Sequence, residues 1–334
     1  MRPITLSHEK PITDLKYNVD GDLLFTACKV APQNSICVWW ADSGERIGTY
    51  EGHKGAVYSI DVDNTSKYLL SGAADQTIKL WDVESGNELY TWGVSTSIRC
   101  VSFAPGLHRF LSVTDAIRGL PQEVSVYKLS DDMRDANVKK PVVQITAPSQ
   151  QPYKITRAIW GYHSESIVTA NSDGFLRIFH AERSKTSENI PVHKGEIRSL
   201  QFDKYNSTFL TASKDGFAKL IDTRTFKVVR EYDTGRPLNA ASMSPLMDHI
   251  IVGGGEEAVS VTLTAANSAQ FNVRFFHSIF AEELGNVSGH FGPVNVLSFS
   301  PDGRSFASGG EDGSVRLHYF NDSYFNRTDE ISQY

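Results

Sequence analysis

The stretch GHKGAVYSIDVDNTSKYLLSGAADQTIKLWD, from Gly52 to Asp82, decides the fold because closely similar segments occur elsewhere in the chain. One similar segment, VHKGEIRSLQFDKYNSTFLTASKDGFAKLID, runs from 192 to 222, and another, GHFGPVNVLSFSPDGRSFASGGEDGSVRLHYF, runs from 289 to 320. A histidine precedes an aspartate by 22 residues in each of them: His53 and Asp75, His193 and Asp215, His290 and Asp312. Equal spacing in three segments indicates an internal structural repeat.

The local pattern within these segments is that of strands and turns. Most runs of four to seven residues alternate between apolar and polar side chains and end in Gly, Asp, Asn, Ser or Pro, whereas few segments show helical periodicity. Asp-Gly pairs, such as Asp215-Gly216 and Asp312-Gly313, suit tight hairpin turns. The pattern resembles the WD repeat, in which four antiparallel strands form one blade of a β-propeller.

Weaker copies fill the intervals and bring the number of blades to seven. They begin at ITDLKY, SIRCVSF, TRAIW and LNAASM, in the first, third, fourth and sixth positions. We therefore expect an all-β, seven-bladed WD-repeat propeller as a single domain over residues 1–320, with a C-terminal tail at 321–334. The last copy leaves too little chain for an outer strand, so Arg2 to Leu6 should supply it and close the ring. The tail either extends into solvent or becomes ordered on a partner.

The His, Ser, Asp and Trp side chains of one blade could be mistaken for a catalytic set. The resemblance to WD repeats implies instead a structural tetrad, in which Trp81 donates to Ser71, Ser71 bonds His53, and His53 bonds Asp75. Only the second blade has all four residues, since Ile221 and His318 stand where the fifth and seventh blades would have the tryptophan. An unpaired buried polar group costs about 1–3 kcal/mol, so such a network should stabilise the blade.

The chain contains no recognisable catalytic, cofactor or metal motif. GxxxxGK[ST], GxSxG and HExxH are missing, and no GxGxxG lies between a strand and a helix. The stretch IIVGGGEEAVSV, Ile250 to Val261, could form a phosphate cradle or a tight turn. It aligns with the end of a blade's second strand, which favours close backbone packing and a turn. Gly254 and Ala258 occupy the Ser/Thr and Asp positions, so the sixth blade should have no tetrad.

Composition limits the kinds of partner. The net charge is −6 and the pI is near 5.9, which argues against direct, sequence-specific binding to nucleic acid. Three cysteines without a CxxC spacing indicate a reducing compartment. The N-terminus has no apolar signal core, and no window approaches 18 apolar residues, so we expect a cytoplasmic protein without a membrane contact.

Several stretches go beyond a generic WD pattern. They are KYNVDGDLLFTACK at 16–29, IKLWDVESG at 78–86, PLNAASMSP at 237–245 and the run from Gly253 that includes FFHSIFAEELG. In these stretches the chain resembles the family of subunit i of eukaryotic translation initiation factor 3. The resemblance implies a non-enzymatic scaffold that binds the b and g subunits and helps recruit mRNA to the small ribosomal subunit for scanning.

The resemblance also implies where the partner binds. A helix from the C-terminal region of subunit b should lie against the fifth and sixth blades, with subunit g nearby. Asp222 is the main interface candidate, although it could simply cap the turn after the third strand. A second acidic position of the family falls at Tyr205, which departs from the pattern. The alternatives are another WD adaptor, such as a receptor-associated signalling scaffold, or a propeller hydrolase.

Overall fold

The computed structural model describes residues 3–29, 35–106, 108–117, 120–130, 140–146, 153–161, 164–182, 186–255 and 271–326. These residues form seven antiparallel sheets of four strands each, and each sheet is one blade. The first strands of successive blades contact one another in a closed ring around a central channel. The all-β, seven-bladed architecture expected from the sequence is thus confirmed.

The chain begins with strand β1 (Ile4–Ser7) and then forms the blades in order. Blade 1 contains β2 (Ile12–Tyr17), β3 (Leu23–Cys28), β4 (Ile36–Trp40) and β5 (Arg46–Thr49). Blade 2 contains β6 (Val57–Val62), β7 (Tyr68–Ala73), β8 (Thr77–Asp82) and β9 (Glu88–Gly93). Blade 3 contains β10 (Ile98–Phe103), β11 (Arg109–Thr114), β12 (Glu123–Lys128) and β13 (Val143–Thr146).

The remaining blades follow the same order of strands. Blade 4 contains β14 (Ile155–Trp160), β15 (Ser166–Asn171), β16 (Phe175–His180) and β17 (Thr186–Pro191). Blade 5 contains β18 (Ile197–Phe202), β19 (Thr208–Ser213), β20 (Phe217–Asp222) and β21 (Val228–Asp233). Blade 6 contains β22 (Leu238–Met243), β23 (His249–Gly254), β24 (Val273–His277) and β25 (Glu283–Val287). Blade 7 contains β26 (Val294–Phe299), β27 (Ser305–Gly310), β28 (Ser314–Tyr319) and, from the other end of the chain, β1.

The ring closes where the two ends of the propeller meet. Strand β1 pairs antiparallel with β28, so that Ile4 lies opposite Leu317 and Leu6 lies opposite Val315. The Leu6 side chain is buried. The N-terminal strand therefore covers an edge of blade 7 that would otherwise expose unpaired backbone groups. The predicted closure is confirmed with a strand that runs from Ile4 to Ser7, whereas Arg2 lies outside the described residues.

The hydrophobic core lies between neighbouring blades. Phe25 of blade 1 and Trp81 of blade 2, for example, belong to one buried cluster. The glycines at the end of β23 fit this close packing, because a Cβ on Gly253 would lie 3.0 Å from Val294 of the next blade. Gly255 has a φ of +125°. Gly253 and Gly255 therefore serve packing and a turn. The expectation that Gly254 occupies the Ser/Thr position is wrong, because Val252 lies opposite Ala241 as Ser71 lies opposite Ile60. Ala258 lies outside the described residues.

A β-bulge recurs at the start of the first strand in every blade. Between the first two paired residues of that strand, one extra residue has no partner in the second strand. Bulges re-aim side chains, and all seven extra residues line the mouth of the channel on one face. They are Thr13, Tyr58, Arg99, Thr156, Arg198, Asn239 and Asn295. We call this the upper face; it also holds the turns between second and third strands, and the other hairpin turns form the lower face.

The beginning of the C-terminal tail contacts the propeller. A short helix, α1 (Asp322–Phe325), follows the last blade. The Tyr324 ring stacks on Phe320 with centroids 3.9 Å apart, and its hydroxyl lies 2.6 Å from Nδ1 of His249 in blade 6. The first residues of the tail therefore rest on the lower face of blade 6, while residues 327–334 lie outside the described part. The division of the chain at residue 320 stays a prediction.

Candidate functional site

The four candidate tetrad residues of blade 2 meet in one buried chain of hydrogen bonds. The indole N–H of Trp81 donates to the Ser71 hydroxyl at 2.8 Å, and that hydroxyl lies 2.7 Å from Nε2 of His53. Nδ1 of His53 lies 3.0 Å from a carboxylate oxygen of Asp75. A histidine protonated at Nδ1 satisfies every one of these atoms, since Ser71 then donates to Nε2.

Hydrogen bonding decides the charge of Asp75. Burial alone would raise the pKa of its carboxyl group, but hydrogen bonds from His53, from Thr77 and from the backbone N–H of Lys54 outweigh burial. The pKa of Asp75 is therefore held well below its usual range, and the carboxylate is ionised at neutral pH.

Three other blades contain parts of the same network. His193 bonds Thr211 at 2.8 Å and Asp215 at 3.0 Å in blade 5. The equivalent contacts in blade 7 join His290 to Ser308 at 2.8 Å and to Asp312 at 3.2 Å. Repetition of one buried arrangement around the ring is typical of a structural device rather than of a single catalytic site.

Blade 1 holds a partial network of the same kind. Both Nε2 of His8 and the indole N–H of Trp39 lie 2.9 Å from the Thr26 hydroxyl. The interval from His8 to Trp39 is 31 residues, against 28 from His53 to Trp81, because the turn between β3 and β4 is longer. Alignment forward from the histidine shows the equivalence of Thr26 and Ser71, because each lies 18 residues after its histidine.

Asp173 in blade 4 has a different partner from the other turn aspartates. Its carboxylate pairs with both terminal nitrogens of Arg177, at 3.0 and 2.6 Å, and the guanidinium carbon lies 3.5 Å from the centroid of the Tyr153 ring. A bidentate pair of this kind is stronger than a neutral hydrogen bond. The sequence shows Asp173 at the expected position but gives no sign of this exchange.

The interface candidate Asp222 is the last residue of β20, at the lower edge of blade 5. Its Oδ1 accepts hydrogen bonds from the hydroxyl and the N–H of Thr225, both at 2.7 Å, and from the N–H of Arg224 at 3.2 Å. These bonds, first that from the Thr225 hydroxyl, lower the pKa of Asp222. Asp222 thus caps its turn with Oδ1, while Oδ2 accepts no hydrogen bond from the described residues.

Asp82 offers a direct comparison, because it occupies the same position in blade 2. Its Oδ2 accepts hydrogen bonds from the N–H and the hydroxyl of Ser85. Capping is therefore common to both blades, and it does not by itself distinguish Asp222.

The second candidate, Tyr205, lies close to Asp222 along the same edge. It sits in the turn between β18 and β19 and is 79% exposed. Thr223 joins the two turns, because its hydroxyl donates to the backbone oxygens of Asn206 and Ser207, both at 2.9 Å. The structure therefore places both candidates on the lower face of blade 5.

An exposed apolar surface adjoins this edge and was not recognised from the sequence. Val228 and Val229, in the outer strand of blade 5, are 38% and 42% exposed, and Ile279 and Phe280, in a turn of blade 6, are 47% and 55% exposed. Arg230 joins the two blades through a bond of 2.6 Å from its Nε to the backbone oxygen of Ile279. We call these four apolar residues the apolar ledge. Two adjacent valines in an outer strand are the signal that could have revealed it.

Neither a candidate metal centre nor a candidate membrane-spanning helix is found among the described residues. No group of three or more His, Cys, Asp or Glu side chains in this part of the chain is placed to hold a metal ion. Among the same residues, no helix is long and apolar enough to cross a membrane.

Comparison with known proteins places the chain among named relatives. The family model described as EIF3I matches residues 1–330. The chain is 43% identical over 329 residues to eukaryotic translation initiation factor 3 subunit I of Schizosaccharomyces pombe, covering 98% of each chain. It is 42% identical over 326 residues to the subunit I of Taeniopygia guttata, covering 97% of this chain and 98% of the relative.

A solved structure supports the fold alone. The β-propeller domain of Cps50 (Swd1) from Myceliophteria thermophila superposes with a TM-score of 0.77 at 14% identity, covering 95% of this chain and all of that domain. The family predicted from the sequence and the propeller fold are thus both confirmed.

Proposed function

Because the chain belongs to the family of subunit I of eukaryotic translation initiation factor 3, we propose that it is a non-enzymatic scaffold subunit of that factor. In this proposal the protein works in the cytoplasm and holds the b and g subunits together. It thereby supports recruitment of mRNA to the small ribosomal subunit and the scanning that follows, without binding a specific nucleic-acid sequence itself.

The observation that carries the proposal is the lower edge of blades 5 and 6. There Asp222, whose Oδ2 accepts no hydrogen bond from the described residues, lies at the turn that leads into the apolar ledge, with Val228 six residues further along the chain. An amphipathic helix binds such a surface through apolar side chains at i, i+3 and i+4. A basic residue on the helix suits Asp222, since charge complementarity sets specificity and association rate.

Tyr205 changes the character of this surface. Where the family pattern has a second acid, this chain presents an aromatic ring that is 79% exposed, with the Lys204 ammonium 6.0 Å from its centroid. Tyrosine is enriched at protein interfaces because it adds contact area at a low entropic cost. We expect Tyr205 to contribute contact area to the b-subunit helix, and Asp222 to supply the charge.

The buried networks support a scaffold rather than a hydrolase. The His53–Asp75 pair has the composition of a catalytic dyad, yet His53 and Ser71 are fully buried and bonded to one another. A nucleophile must reach its substrate, and Ser71 cannot do so while the blade is folded. The same arrangement recurs at His193 and His290.

The proposal is tested by affinity purification of the tagged chain from eukaryotic cells. The unmodified chain should co-elute with the b and g subunits. A Val229→Asp, Phe280→Asp variant should lose subunit b, because two charges on the apolar ledge oppose helix docking. Ile47→Asp is the matched control, since Ile47 is also an exposed apolar residue of an outer strand, but in blade 1.

Two outcomes would count against the proposal. If the unmodified chain co-elutes with neither subunit and instead hydrolyses small esters in a metal-dependent manner, the hydrolase alternative is correct. If the ledge variant and the Ile47→Asp control retain subunit b equally, the helix does not bind at this edge.

A further inference from the structure

The upper mouth of the channel is a funnel built by the seven bulges. Its volume is about 380 Å³, within the range of ligand-binding clefts. The seven bulge residues include two arginines, Arg99 and Arg198, and no carboxylate. Neighbouring residues add Lys29, Lys154 and Arg157 as cations and Asp115, Glu196 and Glu311 as carboxylates. The lining therefore carries five cationic and three anionic groups, in a chain whose net charge is −6.

Two of the three carboxylates are fully engaged by partners within the funnel. Asp115 accepts hydrogen bonds from Arg99 at 3.0 and 2.6 Å. Glu311 accepts one from the Lys29 ammonium at 3.2 Å and one from the Asn295 amide at 2.8 Å. These pairs neutralise the side of the mouth formed by blades 1, 3 and 7.

The third carboxylate has more cations around it than it can neutralise. Glu196 contacts the Lys214 ammonium at 3.0 Å and Nε of Arg198 at 3.3 Å, but Arg198 Nε lacks the geometry of a hydrogen bond. Arg157 lies 3.7 Å from Asp14, an ion pair longer than a hydrogen bond. Lys154 forms no ion pair with any residue that the structure describes.

The spare positive charge is therefore concentrated on one side. Lys154 immediately precedes β14 and Arg157 lies in it, while Arg198 lies in the adjacent first strand, β18. Arg157 and Arg198 also line the narrower channel below, which holds about 130 Å³. A helix is about 10 Å wide, so that space suits side chains or an extended segment.

We propose that the upper mouth binds an extended acidic peptide segment, with a Glu or Asp carboxylate held between Lys154, Arg157 and Arg198. Guanidinium groups bind carboxylates through paired, charge-assisted hydrogen bonds, which gives both affinity and orientation. A peptide fits better than RNA, because the mouth has a volume of only about 380 Å³, which admits a few carboxylate side chains but not a run of bulkier nucleotides. This site lies on the opposite face from Asp222 and does not depend on the proposed b-subunit contact.

The test uses the full chain and a fluorescein-labelled oligoglutamate peptide, with binding followed by anisotropy at low salt. Oligoglutamate should bind in a saturable manner, and oligoglutamine should not. Lys154→Gln with Arg198→Gln should weaken binding about tenfold or more, because it removes two of the three cations that hold the carboxylate. Lys204→Gln with Arg224→Gln, which removes two cations from the lower face, is the matched control and should leave the affinity unchanged.

A second variant keeps the test decisive if the first one loses stability. Glu196→Gln retains the side-chain shape but releases Arg198 and Lys214 from their shared carboxylate, so oligoglutamate should bind several-fold more tightly. Thermal unfolding of each variant shows whether the propeller is intact.

Three results would overturn the proposal. The first is no saturable binding of oligoglutamate, and the second is equal loss of affinity in the upper-face and lower-face variants. The third is tighter binding of an oligouridylate than of oligoglutamate, weakened by the same upper-face substitutions, which would make the mouth a nucleic-acid site.

Discussion

Blades 2 and 5 have the same internal design but different outer surfaces. In both, a histidine bridges a hydroxyl and a turn aspartate at nearly equal distances, 2.7 and 3.0 Å in blade 2 and 2.8 and 3.0 Å in blade 5. Blade 2 completes its network with Trp81, whereas blade 5 has the apolar Ile221 at that position. Blade 5 thus retains the buried hydrogen bonds of the histidine although the tryptophan of the network is replaced.

The outer strands of the two blades, by contrast, differ in how much of their surface is exposed. Both outer strands bury their fifth residue, Trp92 in ELYTWG and Tyr232 in VVREYD. The three residues before Trp92 are half-buried, whereas the first four residues of VVREYD are exposed. Blade 5 has the weaker network and the larger exposed apolar surface. We therefore expect stability to depend mainly on the buried networks, and the proposed partner binding to depend on the exposed edges outside them.

The largest effect should come from removing the central histidine of blade 2. His53→Ala leaves a cavity and deprives both Ser71 and Asp75 of a partner, which should cost about 3–5 kcal/mol. His193→Ala should cost less, because the blade 5 network has no indole donor. Thermal unfolding should therefore show a fall in Tm on the order of 10 °C for His53→Ala and a smaller fall for His193→Ala. Equal falls would mean that Trp81 adds nothing to the network.

A somewhat smaller effect is expected from converting blade 2 to the blade 5 pattern. Trp81→Ile removes the indole donor to Ser71 and part of a buried ring, at a cost of about 2–3 kcal/mol. In this background His53→Ala should cost no more than His193→Ala does in the unmodified chain. A double-mutant cycle measures the coupling, and no coupling between positions 53 and 81 would contradict a shared network.

The residue that stands in the position of Trp81 in blade 7 predicts a dependence of stability on pH. That residue is His318, whose ring stacks on Phe306 with centroids 4.6 Å apart. Burial, with repulsion from His290 and Arg316, lowers the pKa of His318 from 6.5 to about 4. The unfolded chain therefore takes up a proton as the pH falls below 6.5, while the folded protein does not until near pH 4.

Lowering the pH should accordingly reduce the free energy of unfolding of the unmodified chain more than that of the His318→Phe variant. Near pH 5.5 the difference should reach about 1 kcal/mol, since one pKa unit corresponds to about 1.4 kcal/mol. The Tm of both proteins measured at pH 7.5 and pH 5.5 decides this. The same fall in both would show that His318 is protonated equally in the folded and unfolded states.

The sequence predicts the arrangement of the blades because the blade pattern repeats along the chain. Three equal intervals from histidine to aspartate revealed the blades, and the lack of an outer strand after His318 revealed the closure by β1. The apolar ledge and the pairing of Asp173 with Arg177 could not be predicted in this way. Each depends on side chains from one blade or turn that meet only after folding, and neither recurs from blade to blade.

The residues that line the channel mouth could not be predicted from the sequence either. A bulge shifts the register of each first strand. The shift places Arg99 and Arg198 at the mouth of the channel. Alternation of apolar and polar residues does not show where a bulge falls. Asp222 is an intermediate case, since the sequence left a turn cap and a partner contact open as alternatives. The cap is observed through Oδ1, and the partner contact stays a prediction.

The smallest effect on stability, and the most direct test of the account, is expected from the turn aspartates. Asp222→Lys and Asp82→Lys remove equivalent caps and should lower Tm slightly and to a similar extent. Binding of each purified variant to the C-terminal helix of subunit b should be measured by titration calorimetry. We predict a Kd weakened about tenfold or more for Asp222→Lys and unchanged for Asp82→Lys. Equal affinity of the two variants for the helix would contradict the claim that the lower edge of blade 5 binds the partner.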